Sequence, residues 1–241
     1  MTFSIVARCT RTGMLGVATS SKALAAGAMV PYLRAGVGAI ASQSFVNPYL
    51  GIDGIELIEQ GLPAERALER VIEGDRGRDV RQVGIVDKDA RTAAYTGDKC
   101  VPWAGTVSGA GYVCLGNILA GEDVVKAMAT AFEATETEDL QERLLRALEA
   151  GQEAGGDRRG RQSAGIMVVA QEEYPLVDLR VDDHTDPIPE LRRVFGVYQK
   201  EEVPYTKFMP TREDYTPEWR SVLKMREEVE ESLAEPTTKE S

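Results

Sequence analysis

The second residue of the chain, Thr2, places a nucleophile and a base on one residue. It follows Met1 directly and opens the apolar run FSIVARC. Initiator methionine is generally removed when the next residue is small, and removal would leave Thr2 with a free α-amine beside its own hydroxyl. An α-amine has a reference pKa of about 7.7 to 8.0, so it is partly neutral near pH 7 and accepts the proton of Oγ1. The pattern is therefore compatible with an N-terminal nucleophile, a variant of nucleophilic catalysis that needs no histidine. A threonine that only begins a strand and has no chemical role is the alternative.

The chain contains one histidine, His184. Metal sites with several histidine ligands are therefore excluded, and a histidine-based triad would have to use this residue. The formal net charge is −11. Because a surface of that sign repels phosphate backbones and anionic lipids, we expect neither nucleic acid nor a membrane as partner.

A polar and basic turn follows the second predicted strand, in ATSSKALAAG. Here we expect Ser20 or Ser21 to orient the Thr2 amine and Lys22 to lower its pKa. A solvated lysine in a capped turn is the alternative. Farther along, Asn117 in LGNILAG lies between a glycine-rich strand and a helix start, so it either donates to an oxyanion or caps the helix.

The glycine-rich stretch GGDRRGRQS has the glycine spacing of a phosphate-binding loop. However, Arg161 and Gln162 stand where lysine and serine or threonine are required, which argues against nucleotide binding. Its arginines could instead bind a substrate carboxylate, while an exposed flexible loop is the alternative. The predicted substrate-binding residues are Arg34, Gln43, Asp157, Arg158, Arg159 and Gln162.

An acidic cluster in DLRVDDHTD contains Asp182, Asp183 and His184. A divalent metal could use it, which makes a metal-dependent hydrolase an alternative function. Helix capping at Asp186 before Pro187 explains the acids without a metal, so we expect no metal and no other cofactor.

Apolar periodicity divides the chain into alternating groups of strands and helices. Two β-rich runs joined by a polar link with Gly13 predict a hairpin. The order of elements predicts an α+β fold, with two sheets between helical layers. The predicted strands are 3–9, 14–20, 37–44, 81–87, 91–96, 164–170 and one in YPLVDLRVDD, and the helices are GIELIEQG, PAERALERVIEG, 122–134 and 138–150.

The chain of 241 residues is long enough for one sizeable domain, which we place at 1–200, followed by an arm at 201–241 with a disordered end. No apolar run is long enough to span a membrane, and no secretion signal is evident. The cysteines Cys9, Cys100 and Cys114 form an odd set without paired spacing, so we expect reduced thiols in a cytoplasmic protein.

Three stretches taken in order go beyond these generic patterns: TFSIVAR…LGVATSSKALAAGAMVPYLRAGVGAIASQS, RQVGIVD…AAYTG…PWAG…GYVCLGNILAG and GQEAGGDRRGRQSAGIMVV…DLRVDDH. Together they resemble the family of unknown function DUF1028, within the N-terminal nucleophile (Ntn) hydrolase superfamily. The resemblance covers residues 2–200 and implies a four-layer αββα sandwich with a threonine nucleophile, here Thr2. Some members are labelled fimbrial assembly protein, which nothing in this sequence supports.

Compared with proteasome-like subunits, the chain departs from the pattern at Ser20, near which those enzymes keep an aspartate. Lys22 or Arg34 would then act as the assisting cation. The resulting hypothesis is a cytoplasmic, homodimeric hydrolase that cleaves small amides or short peptides with Thr2 after loss of Met1. A non-catalytic binding or assembly protein on the same fold is the alternative.

Overall fold

The structure is a computed structural model that describes residues 2–215 and 223–228. The chain divides into two compact units, Met1–Val194 and Phe195–Ser241. In the second unit, the rings of Phe195 and Tyr198 stack with centroids 6.2 Å apart. All of the strands described below belong to the first unit.

Ten strands form two antiparallel sheets. Their bounds are β1 (Thr2–Arg8), β2 (Leu15–Ser21), β3 (Pro31–Arg34), β4 (Gly38–Ser44), β5 (Arg81–Asp87), β6 (Thr92–Thr96), β7 (Gly105–Gly109), β8 (Tyr112–Asn117), β9 (Ser163–Val169) and β10 (Val177–Val181). The six-stranded sheet has the order β10-β9-β2-β1-β8-β7, and the four-stranded sheet has the order β3-β4-β5-β6.

Helices connect the strands in three places. Their bounds are α1 (Ala26–Met29), α2 (Pro48–Glu59), α3 (Ala64–Gly74), α4 (Asp123–Ala134), α5 (Leu140–Glu153), α6 (Pro187–Glu201) and α7 (Val203–Thr206), with a 3-10 turn at Arg78–Val80. Helices α2 and α3 pack on the four-stranded sheet, and α4 and α5 pack on the six-stranded sheet. Strands β1 and β8 also contact β4 and β5, so the sheets meet through their other faces.

Side chains alternate along the strands between two apolar layers. Val6, Leu115 and Ala41 lie in the layer between the sheets, whereas Ile40 and Ile85 face α2 and α3. All five side chains are fully buried. The small side chains of Ala39 and Ala41 in β4 therefore lie where the two sheets meet.

The α+β class predicted from the order of elements is confirmed, and so is the hairpin of β1 and β2. The predicted strand at 81–87 is β5 without change, and the predicted helices at 122–134 and 138–150 correspond to α4 and α5. The apolar stripe of α5 is buried from Leu140 to Leu148 as expected. Cys9, Cys100 and Cys114 are free and buried.

Two features of the strand assignment were missed. The predicted strands do not include β3, which begins at Pro31 and lies at the edge of its sheet, where proline is tolerated. They also do not include β7, which forms a hairpin with β8, the glycine-rich strand expected before Asn117. Within residues 2–215 and 223–228, no helix is long and apolar enough to cross a membrane.

Candidate functional site

Thr2 begins β1 in the middle of the six-stranded sheet. It pairs with Ser21 at the end of β2 on one side and with Asn117 at the end of β8 on the other. The residue is 4% exposed, and its Oγ1 donates to Ser21 Oγ at 3.2 Å. Two neighbouring strand ends therefore fix the surroundings of the Thr2 hydroxyl.

Strand alternation places the side chains of Thr2, Ser4, Ser21 and Asn117 on the face that meets the four-stranded sheet. Val6, two residues beyond Ser4, lies in the apolar layer between the sheets. This layer is apolar over most of its length and becomes polar at the end where Thr2 lies.

A buried hydrogen-bond network joins the two sheets at this polar end. Ser4 Oγ donates to Gln43 Oε1 at 2.6 Å and lies 2.8 Å from Thr19 Oγ1. Gln43 Nε2 donates to the carbonyl of Thr2 at 3.3 Å and to Gln82 Oε1 at 2.9 Å. Both amide hydrogens of Gln43, a predicted substrate-binding residue, are thus engaged within the protein, where they hold the backbone of Thr2.

Gln82 of β5, which sequence reasoning missed, is the centre of this network and is fully buried. Its Oε1 accepts from Gln43 and also from Asn117 Nδ2 at 2.9 Å. Its Nε2 donates to the carbonyl of Gly116 at 2.7 Å. The available signal was a glutamine in RQVGIVD on the same strand face as Gly84 and Val86.

Asn117 does not cap a helix, because α4 begins at Asp123. One of its two Nδ2 hydrogens bonds to Gln82. The other is available for an oxyanion beside its strand partner, Thr2.

The three candidates at the end of β2, Ser20, Ser21 and Lys22, lie in different surroundings. Ser21 contacts the hydroxyl of Thr2, whereas Ser20 lies on the opposite face of β2 and donates to the carbonyl of Ser163 at 3.1 Å. Lys22 is exposed, and its backbone N–H donates to Asp157 Oδ2 at 2.9 Å. Ser21 is therefore the serine of this turn that touches the predicted nucleophile.

The glycine-rich loop at 155–162 spans the ends of β2 and β8. Gln162 N donates to the carbonyl of Ser21 at 3.0 Å, and Arg158 N donates to the carbonyl of Ile118 at 3.0 Å. Its Asp157 is buried, and Arg159 Nη2 donates to its carboxylate at 2.8 Å. The structure thus brings all four predicted substrate-binding residues of this loop to the strand ends beside Thr2.

Arg34 lies far from this site. It pairs with Glu59 of α2 and is the strand partner of Gly38. Gln43 lies five positions farther along β4, which corresponds to about 16 Å at the usual rise per residue. Arg34 is therefore at the other end of the four-stranded sheet from the network.

The residues of the acidic cluster form hydrogen bonds with different partners. Asp183 accepts from Gln162 Nε2 at 3.2 Å, and His184 Nδ1 accepts from the backbone of Asp186 at 3.0 Å. In the part of the chain that the structure describes, no three His, Cys, Asp or Glu residues are grouped so that they could hold a metal ion. The metal-dependent alternative therefore gains no support from the arrangement of Asp182, Asp183 and His184.

A groove of about 400 Å³ lies between α2 and α3. Tyr49, Asp53, Glu56 and Arg70 are among its lining residues, which include none of the network around Thr2. The network, in contrast, combines a buried hydroxyl with fixed hydrogen-bond donors.

A solved structure resembles this chain closely over most of its length. Protein SPO2555 from Silicibacter pomeroyi, a DUF1028 protein, superposes with a TM-score of 0.83 at 30% identity, covering 90% of this chain and 98% of that one. Anbu (ancestral beta-subunit) from Yersinia bercovieri gives a TM-score of 0.42 at 11% identity, covering 86% and 98% of the two chains. The Gly-1 mutant of Anbu from Hyphomicrobium sp. strain MC1 gives 0.42 at 11%, covering 83% and 96%. These two scores are too low to carry an argument.

No curated protein matches the chain. The family model described as "Family of unknown function (DUF1028)" matches residues 2–191, which include Thr2, the whole network and the loop beside it. With the likeness to the Silicibacter protein over most of both chains, this match shows that the chain belongs to the DUF1028 family.

Proposed function

We propose that this protein is an N-terminal nucleophile hydrolase of amide bonds, with Thr2 as the nucleophile after removal of Met1. The observation that carries the proposal is the place of the Thr2 hydroxyl, buried at the head of β1 and held by Ser21 beside a network anchored in both sheets. Preorganised donors around a buried nucleophile are typical of catalytic sites. The proposal includes the four-layer αββα arrangement of the Ntn type.

The surroundings of Thr2 favour a neutral amine. Its direct neighbours Ser21, Gln43 and Asn117 are uncharged, and all three are buried. Burial disfavours the charged form of an amine and lowers its pKa, so the freed α-amine can act as a base near pH 7. Lys22 is exposed and more distant, and its positive charge also lowers the pKa of the α-amine.

In the proposed reaction, Oγ1 of Thr2 attacks the amide carbonyl while the α-amine takes its proton. The C–N bond then breaks, the leaving amine receives that proton, and the acyl group stays on Oγ1 as an ester. Water activated by the same amine hydrolyses the ester and restores the hydroxyl. The second N–H of Asn117 donates to the developing oxyanion.

The decisive experiment combines mass and activity. Intact-mass measurement should show the loss of one methionine, and a screen over small amides and dipeptides should find turnover. Thr2→Ala should abolish this turnover with little change in the melting temperature, and Thr2→Ser should retain part of it. Thr10→Ala, the same change at an exposed threonine, is the matched control.

Full turnover by the Thr2→Ala protein would overturn the mechanism, as would turnover by protein that keeps Met1. A retained Met1 with no turnover would favour a non-catalytic binding protein. The homodimer is part of the proposal and is tested by analytical ultracentrifugation.

A further inference from the structure

The basic side chains around the site differ in their partners. Arg159 is held by Asp157, and Arg161 is held by Asp186. Lys22 and Arg158 are exposed, and their side-chain nitrogens have no carboxylate or hydrogen-bond partner among residues 2–215 and 223–228. Two cations beside the site are thus available to a ligand.

These two cations lie at the ends of the two strands that flank Thr2. Lys22 comes directly after Ser21, the partner of Thr2 in β2, so its Cα lies within about 9 Å of that of Thr2. Arg158 donates its N–H to the carbonyl of Ile118, which comes directly after Asn117, so the Cα of Arg158 lies within about 16 Å of that of Thr2. The exposed Asp182 and Asp183 follow β10; the backbone of Asp182 accepts from the N–H of Ala25 at 3.0 Å, and Asp183 accepts from Gln162 Nε2 at 3.2 Å. Among the described residues, neither carboxylate pairs with Lys22 or Arg158.

The carboxylate of Asp157 binds the backbone of Lys22 at the end of β2 and the backbone of Arg159 in the glycine-rich loop. Its Oδ2 accepts from the N–H of Lys22 at 2.9 Å, and its Oδ1 accepts from the N–H of Arg159 at 2.9 Å. Because the carboxylate is buried and paired with Arg159, it does not cancel the charge of Lys22 or Arg158. The carboxylate of Asp157 therefore organises the site and is not itself open to substrate.

We propose that the substrate amide carries a carboxylate, which Arg158 binds with Lys22 as a second cation. This inference rests on the proposed function, because it takes Thr2 as the point of attack. A chain with a net charge of −11 repels anions in general. The unpaired cations Lys22 and Arg158 beside Thr2 therefore favour the binding of an anionic group at this site. The planar guanidinium of Arg158 suits a carboxylate through two parallel hydrogen bonds.

The test compares N-acetyl-alanine, N-acetyl-leucine and N-acetyl-phenylalanine with the matching N-acetyl amines that lack only the carboxyl group. Binding to the Thr2→Ala protein is measured by calorimetry. At least one acid should bind about tenfold or more tightly than its neutral counterpart. Arg158→Gln should remove this preference, and Arg161→Gln, the same change on the same loop, should keep it.

Equal binding of acids and neutral amides, or a preference that survives Arg158→Gln, would overturn the inference. Because these measurements use protein without the nucleophile, they do not depend on turnover. Turnover without a preference for acids would support the proposed hydrolase and contradict the carboxylate site. A preference for acids without turnover in the wild-type protein would support the anion site and contradict the hydrolase.

Discussion

At the scale of residues, Gln82 links the predicted nucleophile to both sheets. Its amide oxygen accepts from Gln43 and Asn117, and Gln43 in turn holds the carbonyl of Thr2. Each of these groups is buried, so every hydrogen bond that is lost leaves a polar atom without water. The position of Thr2 is therefore coupled to a side chain of the other sheet.

Gln82→Leu should lower the free energy of unfolding by about 3 to 5 kcal/mol, because the amide groups of Gln43 and Asn117 and the carbonyl of Gly116 each lose a buried hydrogen bond. Urea unfolding measures the change. Gln171→Leu, at an exposed glutamine, should change it by less than about 0.5 kcal/mol. Similar small effects at both positions would contradict the network.

The ion pair of Asp75 with Arg81 should make the stability of the fold depend on pH. Burial raises the pKa of its carboxyl, but hydrogen bonds led by that from Arg81 outweigh burial, so the pKa lies below its usual value. The side chains of Asp75 and Arg81 are only 10% and 14% exposed, and Nε lies 2.8 Å from Oδ2. Because the folded pKa is lowered, the stabilisation is present above the unfolded pKa of about 3.9 and is lost as pH falls through the folded pKa.

Asp75→Asn should therefore lower the free energy of unfolding by about 2 to 4 kcal/mol at pH 7, and the difference from wild type should shrink below about pH 4. Urea unfolding at pH 7, 5, 4 and 3 measures it. The control is Asp139→Asn, which breaks an exposed ion pair with Arg11 and should cost less than about 1 kcal/mol. A difference that is constant at all four pH values would contradict the argument.

At the scale of elements, helix α2 lies close to its sheet because glycines face the strands. An added Cβ at Gly51 would lie 2.2 Å from two ring atoms of Tyr32, and one at Gly54 would lie 2.6 Å from Ile40 Cδ1. The predicted helix GIELIEQG covers only the second half of α2, whereas apolar residues at helical spacing predicted α4 and α5 over almost their whole length. The apolar pattern could not predict the distance between helix and sheet. That distance depends on two glycines three positions apart, Gly51 and Gly54, which have no side chain to hold the helix away from the strands.

Gly51→Ala should destabilise the protein by about 1 to 3 kcal/mol, although alanine favours helix more than glycine does, because the methyl group overlaps the ring of Tyr32. Gly74→Ala is the matched control in α3, since a Cβ there meets nothing within 4 Å. That change should be neutral or stabilise by up to about 1 kcal/mol. Thermal unfolding of both variants decides whether the close approach is real.

At the scale of the whole molecule, the two sheets of the first unit bring distant segments to one site. Sequence reasoning predicted Thr2, Ser21 and Asn117 because each ends or begins a strand and carries a suitable group. It missed Gln82 and placed Arg34 among the substrate-binding residues because no local pattern shows which ends of two sheets coincide. Strand pairing and sheet contact are long-range properties, whereas capping, turns and amphipathic stripes are local.

A double-mutant cycle across the sheets tests their contact. Gly84 of β5 faces Leu115 of β8, and a Cβ on the glycine would lie 3.1 and 3.2 Å from its two methyl carbons. Gly84→Ala alone should therefore cost about 1 to 3 kcal/mol by crowding, and Leu115→Ala alone about 2 to 5 kcal/mol by leaving a cavity. In the double variant the new methyl group occupies part of that cavity.

The double variant should therefore be more stable than the sum of the single effects predicts, by about 0.5 kcal/mol or more. Leu115→Ala combined with Gly74→Ala is the control pair, since α3 packs on the far face of the four-stranded sheet, and its effects should add. Additivity in both pairs would mean that β5 and β8 do not pack against each other. Gln82 would then have no route to Asn117, and the network around Thr2 would be lost with the sheet contact that supports it.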